Sequence, residues 1–114
     1  MNETLKNTNL GLSFFLELAM LAGFGYWGFH GDKSVWMKWV LGIGLPLVVI
    51  VVWGLWFAPQ AEHRLNATSG ITLSMILFLL AAIALFDAQQ PVLAIIFAVL
   101  IIVNGALTFV WMQW

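Results

Sequence analysis

The sequence predicts an all-α integral membrane protein, with four helices in an up-down-up-down bundle that forms a single domain over residues 1–114. Three observations lead to this fold class. First, 63% of the 114 residues are hydrophobic and 8% are charged, whereas a soluble domain carries about 25% charged residues. Second, four apolar stretches follow one another, each close to the roughly 20 residues that a helix needs to cross a bilayer. Third, the connections are short, which makes successive helices antiparallel and puts both ends of the chain on one side of the membrane.

The four predicted helices cover residues 9–29, 36–57, 70–87 and 91–112. The first is not a typical cleaved signal peptide, because its apolar stretch is long, is interrupted by Glu17 and lacks a clean small-residue cleavage site. The second contains Pro46. The third is close to the lower length limit for a bilayer span. The fourth begins at Pro91, a residue that is favoured in the first turn of a helix.

Composition and spacing argue against several function classes. A net charge of −1 gives no electrostatic reason to expect nucleic acid as a partner, and the absence of cysteine removes disulfides and thiolate metal sites. His30 and His63 fall in connections at opposite ends of the bundle, so they cannot share a metal ion. No nucleophile–base pair or phosphate-binding loop is apparent. We therefore expect no enzyme activity, no cofactor and no metal, with the lipid bilayer as the main partner.

The charged residues near the helix ends leave the orientation in the membrane open. Lys6 and Arg64 lie on the side of the chain termini, and Lys33 and Lys38 lie on the opposite side, so the positive-inside rule gives a tie. His63 in the second connection favours the cytoplasm for the side that holds both termini.

Glu17 is the charged residue inside the first apolar stretch. It lies about 12 Å along the helix from Asn9, near the middle of the bilayer, where a charged side chain costs roughly 3 kcal/mol. Protonation, a partner on another helix or a water-filled cavity would relieve this cost. Two interpretations stay open: Glu17 handles a proton or a cation, or it is a neutral group that ties helices together by hydrogen bonds.

Asn104 is the predicted partner of Glu17. It lies about 13 Å from Gln113 along the fourth helix, at nearly the same depth as Glu17, and in a compact bundle the first and last helices are neighbours. Ser13 and Thr108 are each one turn away, so these four residues could form one polar strip. The alternative for Ser13 and Thr108 is a hydrogen bond to a carbonyl group of their own helix.

The second helix carries a helix-breaking motif, GIGLP, from Gly42 to Pro46. Pro46 lacks a backbone donor and clashes with the carbonyl group four residues earlier, so we expect a bend and a free carbonyl at Gly42. The backbone there is the competing partner for Glu17. Broken helices often mark transporter binding sites, although proline kinks without a ligand are commoner. A water-filled pocket reached by Tyr26 or Trp53 would favour transport.

Small residues make one part of the first helix narrow. Ala19 and Gly23 are four residues apart, and Gly25 and Gly28 follow. Small side chains at such positions allow another helix to approach closely. They predict tight packing or a homodimer and indicate nothing about chemistry.

Two longer motifs point to a family. The first helix reads LSFFLELAMLAGFGYWGFH, the second continues as GIGLPLVVIVVWGLWFAPQA, and an Asn lies before the end of the fourth. With these motifs the chain resembles the YrdB-like family of small bacterial four-helix membrane proteins. The resemblance covers nearly the whole chain; it implies the same fold and a bacterial plasma membrane location, and it carries no established activity. The matching positions are Glu17, Gly25, Tyr26, Trp27, Gly28, Gly44, Pro46, Trp53, Gly54, Ala58, Pro59 and Asn104.

The sequence leaves two functions. The first is a proton-coupled transporter or transport accessory that uses Glu17 as its protonatable group. The alternative is a structural or regulatory membrane protein in which Glu17 holds helices together by interhelical hydrogen bonds. The candidate proton- or ligand-binding residues are Ser13, Glu17, Tyr26, Gly42, Pro46, Trp53, Asn104 and Thr108.

Overall fold

Four membrane-length helices make up the fold. The computed structural model describes residues 2–58, 61 and 63–114, and every regular element in those residues is helical. Helix α1 covers Asn2–Phe29, α2 Val35–Val52, α3 Ala67–Asp87 and α4 Pro91–Val110. A π-helical segment, Trp53–Phe57, extends α2. All four spans, with α2 and its π-helical segment taken together, are long and apolar enough to cross a membrane. The predicted integral membrane fold class is confirmed; Pro59, Gln60 and Glu62 of the second connection lie outside the described residues.

Several helix ends differ from the predicted ones, and at α2 and α3 a capping side chain decides where the helix begins. Helix α1 begins at Asn2 and α3 at Ala67, both earlier than the apolar stretches suggest. The Asn66 side chain accepts a hydrogen bond from the Ser69 backbone N–H at 2.9 Å, which satisfies one of the free donors of the first turn of α3. Ser34 caps α2 in the same way. Polar turns therefore extend the helices beyond their membrane-embedded parts.

Helix α1 is the central element of a flat molecule that measures 49 × 34 × 19 Å. It packs against α2, α3 and α4, and α3 and α4 pack along each other. In the described residues α2 contacts α1 alone among the other α-helices, and its π-helical extension reaches α3. The buried core lies between α1, α3 and α4 and is formed by Leu16, Met20, Phe78, Ala81, Ala82, Phe97 and Ile101. Helix α2 thus lies at the edge of the bundle.

Glycines bring α1 and α2 into close contact. A methyl group at Gly28 would overlap the backbone of Leu41 and Gly42, and one at Gly42 would overlap the Phe29 ring. A Cβ atom at Gly25 would lie 3.3 Å from the Gly42 carbonyl oxygen. These glycines therefore serve packing within one chain, because only residues without a side chain allow the backbones to approach so closely. The homodimer stays a prediction.

The irregular backbone of the second span lies beyond Pro46. Helix α2 runs through Pro46, which packs beside Gly25, and a bend at this point stays a prediction. The π-helical segment follows at Trp53–Phe57, where the Ala58 N–H donates to the Trp53 carbonyl oxygen at 2.8 Å. Such π-helical turns are rare and frequently occur at functional sites.

Candidate functional site

A buried hydrogen-bond network joins α1 to α4 at one end of the bundle. The Nδ2 atom of Asn104 lies 2.9 Å from Asn9 Oδ1, 3.2 Å from the Asn9 backbone oxygen and 2.7 Å from Ser13 Oγ. Asn9 Nδ2 in turn donates to Thr108 Oγ1 at 3.1 Å and to Gln113 Oε1 at 2.7 Å. Asn9 and Asn104 are both buried. We call this set the asparagine network, and we call the end of the bundle where it lies, with residues 63–66 and 111–114, the terminal end.

Ser13 satisfies both predicted alternatives at once. Its hydroxyl donates to the Asn9 backbone oxygen at 3.1 Å, a bond within its own helix. The same hydroxyl accepts the hydrogen bond from Asn104 on the neighbouring helix. Thr108 contacts α1 through Asn9. The polar strip between the first and last helices therefore exists, with Asn9 at its centre.

No direct hydrogen bond joins Glu17 to Asn104 in the described residues, and their pairing through a bridging water stays a prediction. Asn104 uses its amide on Asn9 and Ser13, and Glu17 lies one helical turn beyond Ser13. The sequence argument counted depth from Asn9 as if it lay at the membrane surface. Helix α1 begins at Asn2, and Asn9 is itself buried within the bundle. Because α1 and α4 are antiparallel, this offset places Asn9, and not Glu17, beside Asn104.

A cavity of about 180 Å³ lies beside the asparagine network, between α1, α3, α4 and the π-helical segment. Polar side chains from three helices line it: Ser13, Glu17, Ser74, Asn104 and Thr108. Aromatic rings line it as well, among them Phe14, Trp53, Phe57 and Phe78. The cavity thus combines polar groups near mid-helix with an aromatic wall, the composition typical of a small-molecule site.

Glu17 contributes the carboxylate of this cavity. It lies near the middle of α1, about 22 Å from Asn2 and about 18 Å from Phe29 along the helix axis. The side chain is half-buried, and its carboxylate has no hydrogen-bond or ion-pair partner among the described residues. Glu17 is therefore available to a proton or a ligand in the cavity.

Ser74 on α3 is a second polar group without a partner. It is 7% exposed, and its Oγ is a buried side-chain polar atom with no hydrogen bond to any described residue. A serine within a helix commonly bonds to a carbonyl group of the preceding turn, and this one does not. An unsatisfied buried hydroxyl costs about 1–3 kcal/mol, so Ser74 also marks a place where a ligand could bind.

Residues beyond the helices line the cavity at the terminal end. The Trp114 indole Nε1 donates to the Leu65 backbone oxygen at 2.7 Å, and Arg64 Nη1 donates to the Trp114 backbone oxygen at 3.0 Å. The Arg64 guanidinium carbon lies 4.2 Å from the centroid of the Trp114 ring system. The ring also covers Gly70, where a methyl group would overlap it. We call Trp114 in this position the tryptophan cover.

Three of the predicted candidates lie away from the cavity. The Tyr26 hydroxyl accepts a hydrogen bond from Gln90 Nε2 at 3.2 Å, near the opposite end of the bundle. Gly42 packs against Gly28, about three turns beyond Glu17 on α1, so the competing pairing of Glu17 with the backbone at Gly42 does not occur. Pro46 lies at the same α1–α2 contact. The other five candidates all line the cavity.

Sequence reasoning missed several residues of the site. Asn9 was assigned to the helix boundary, although its spacing of four residues from Ser13 could have placed it on the same face. Ser74 stands out as a polar residue within the third apolar stretch. Arg64, Gln113 and Trp114 carried no sequence signal, because their contribution depends on how residues 63–66 and 111–114 fold over the helix ends.

Comparisons with known proteins agree with the resemblance seen in the first two helices. The chain is 29% identical over 119 residues to the uncharacterized protein YrdB of Bacillus subtilis (strain 168), an alignment that covers 98% of this chain and 96% of YrdB. No solved structure matches the chain. A family model described as "Protein of unknown function (DUF2568)" matches residues 11–102, which include Ser13, Glu17 and Ser74. This multi-pass membrane chain belongs to the DUF2568 family.

Proposed function

We propose that this protein is a small transporter or transport accessory that binds and releases a proton at Glu17, with the cavity as its ligand site. The observation that carries the proposal is the half-buried Glu17 carboxylate, which lines the cavity and lacks a partner among the described residues. A charged group at this depth is costly. Protonation or a bound ligand relieves this cost, whereas a purely structural role requires a partner on another helix.

The division of labour among the polar residues supports this proposal. The asparagine network already provides the hydrogen bonds that hold α1 against α4. Glu17 is therefore not required as glue between these helices. The irregular π-helical segment lines the cavity through Trp53 and Phe57, and irregular backbone at membrane depth occurs in transporters beside cavities.

Proton flux into liposomes tests the proposal. The purified protein is reconstituted, a potassium diffusion potential is imposed, and internal pH is followed with a trapped dye. We expect flux with the unaltered protein, loss of flux with Glu17→Gln, and full flux with the control Glu3→Gln, whose side chain is exposed in the first turn of α1. Flux that is equal in Glu17→Gln, or no greater than in empty liposomes, would contradict it.

The second candidate is a structural or regulatory membrane protein, and the asparagine network favours it. Buried amides that join α1 to α4 set the register of the helices with or without a ligand. Under this hypothesis Glu17→Gln keeps every function of the protein, because the asparagine network that joins the helices does not use Glu17. The liposome experiment separates the two candidates.

We also propose a bacterial plasma membrane location with the terminal end in the cytoplasm. The chain contains no cysteine, so single substitutions report orientation directly. A membrane-impermeant thiol reagent added to intact cells should label Asp32→Cys in the first connection and leave His63→Cys in the second connection unlabelled. The reverse pattern would invert the orientation.

A further inference from the structure

Three side-chain groups that line the cavity have an oxygen atom that accepts no hydrogen bond from the described residues. Each of the three lies on a different helix. Two are the Glu17 carboxylate and Ser74 Oγ. Asn104 supplies the third, because its Nδ2 faces the Asn9 backbone oxygen, which can only accept. This fixes the orientation of the amide, and Asn104 Oδ1 receives no hydrogen bond from the described residues. A site rich in acceptors selects a ligand that donates hydrogen bonds.

The charge of the cavity selects a cation. Arg64 is the other charged residue that lines it. Its guanidinium group already donates to the backbone oxygens of Phe57 at 3.3 Å and Trp114 at 3.0 Å and lies over the Trp114 ring. The guanidinium group keeps its positive charge there but forms no ion pair with the Glu17 carboxylate, so the part of the cavity beside Glu17 is negative. A bound cation would balance that negative charge, whereas an anion would add repulsion in a region of low dielectric constant.

The walls and the volume indicate the kind of cation. Phe14, Trp53 and Phe78 line the cavity beside Glu17, and aromatic faces attract cations and pack against apolar groups. An apolar cavity of about 150 Å³ holds a benzene molecule, so the 180 Å³ here can hold a ring of similar size with a short polar group. A metal ion alone would leave most of this volume and the aromatic wall unused.

We infer that the cavity binds a small organic ammonium ion of about the size of benzylammonium. Its N–H groups donate to Glu17, Ser74 and Asn104, and its apolar part packs against the aromatic rings. This inference rests on the proposed function, because it names the substrate class of the same site.

Calorimetric titration of the protein in nanodiscs tests the inference, with benzylammonium as the probe. Benzyl alcohol is the neutral probe, benzoate the anionic probe and sodium the metal probe. We expect benzylammonium to bind most tightly. Glu17→Gln should weaken its binding roughly 10- to 100-fold, because a charged hydrogen bond is lost. Ser74→Ala should weaken it roughly 2- to 10-fold.

Ser74→Ala separates ligand binding from folding. Its hydroxyl has no partner among the described residues, so the variant should fold and unfold at the same temperature as the unaltered protein or a higher one, while it binds benzylammonium less tightly. Thr72→Ala is the matched control, because Thr72 is exposed on the same helix and does not line the cavity. Equal affinity in Ser74→Ala and Thr72→Ala would overturn the inference.

Other outcomes are equally decisive. Benzyl alcohol or benzoate binding as tightly as benzylammonium, or sodium binding alone, would overturn the ammonium assignment. Proton flux that depends on Glu17 together with absent benzylammonium binding would leave the transport proposal standing and reject the substrate class. Benzylammonium binding that depends on Glu17 without any flux would support the site and reject transport.

A second and independent observation concerns the entrance to the cavity. Met112 has a φ of 51°, which turns the chain back over the terminal end, and Gln113 Nε2 donates to the Lys6 backbone oxygen at 3.0 Å.

Trp114 then covers Gly70 and is held by two hydrogen bonds to Arg64 and Leu65. Gln113 stays anchored by the hydrogen bond that its Oε1 accepts from Asn9, whereas the Trp114 contacts lie outside the core of α1, α3 and α4, so Trp114 can detach while the helices stay packed. We propose that the tryptophan cover opens to admit water and ligands.

Thiol chemistry tests this proposal without a ligand. Ser74→Cys places a reactive group in the cavity of a chain that has no other cysteine, and a cationic methanethiosulfonate reagent reports access to it. Adding Gly70→Ala, which overlaps the Trp114 ring, should increase the modification rate severalfold. Gly44→Ala is the control, because a methyl group there meets nothing within 4 Å.

The second arm removes the cover itself. Trp114→Ala in the Ser74→Cys background should accelerate modification at least as much as Gly70→Ala. Rates that match the Gly44→Ala control in both variants would overturn the proposal that Trp114 limits access.

Discussion

The asparagine network and the Glu17–Ser74 part of the cavity lie about one helical turn apart. Polar side chains are hydrogen-bonded in the first and unpaired in the second. In the network, the buried Asn9 and Asn104 amides bond to several partners across two helices. One turn further into the membrane, the Glu17 carboxylate and the Ser74 hydroxyl have no partner among the described residues. The difference indicates that the side chains that hold α1 against α4 and the side chains that are free to bind a ligand lie in neighbouring but separate layers of the bundle.

This separation matters because hydrocarbon offers no alternative partner. A polar group in the membrane interior is satisfied by the protein, by water or by a ligand. The network uses the first of these solutions, and the cavity leaves room for the other two. The changes in stability caused by substitutions in the two layers should therefore differ in sign as well as in size.

The largest expected effect is on the network. Asn104→Ala removes hydrogen bonds to Asn9 and Ser13 and leaves buried acceptors unpaired. We expect the free energy of unfolding to fall by about 1–2 kcal/mol, measured by denaturation in detergent micelles. The control is Asn7→Ala, an exposed residue of α1, which should change stability by less than about 0.5 kcal/mol. Equal stability of the two variants would remove the distinction between the layers.

A smaller effect is expected from replacing the carboxylate with an apolar group. Glu17→Leu removes a half-buried charge without a partner, so stability should stay the same or rise by up to about 1 kcal/mol. A loss of stability comparable to that of Asn104→Ala would show that Glu17 does hold the helices together by hydrogen bonds. Thermal unfolding in detergent, with Glu3→Gln as the control, measures this.

The smallest expected quantity is a coupling energy. In a double-mutant cycle, Asn9→Ala and Asn104→Ala should couple by about 0.6 kcal/mol, the average of interhelical polar contacts in membranes. Glu17→Gln and Asn104→Ala should couple by less than about 0.5 kcal/mol, because no direct bond joins them. Strong coupling in the second cycle would mean that water connects the two layers.

Sequence alone determined the parts of this protein that depend on composition and local chemistry. Four apolar stretches and few charges required four membrane helices, because no water-facing surface could be formed otherwise. Pro91 at the first turn of α4 and glycines where α1 meets α2 followed from local backbone chemistry. Glu17 stood out because a carboxylate is rare and costly at that depth.

The tertiary structure decided which residues meet. In a soluble helix, the apolar stripe identifies the face that turns inward. In a membrane helix, lipid and core are both apolar, so this contrast is weak and neither the rotation nor the register of α1 against α4 can be read from the pattern. That is why Asn9 replaced Glu17 as the partner of Asn104.

The same physical reason explains the rest of the site. The edge position of α2, the π-helical turn at Trp53–Phe57 and the approach of Trp114 to Gly70 all depend on contacts between distant parts of the chain. Sequence thus determined that a polar group lies in the membrane, and only the packing of α1, α3 and α4 decided that it faces a cavity without a partner.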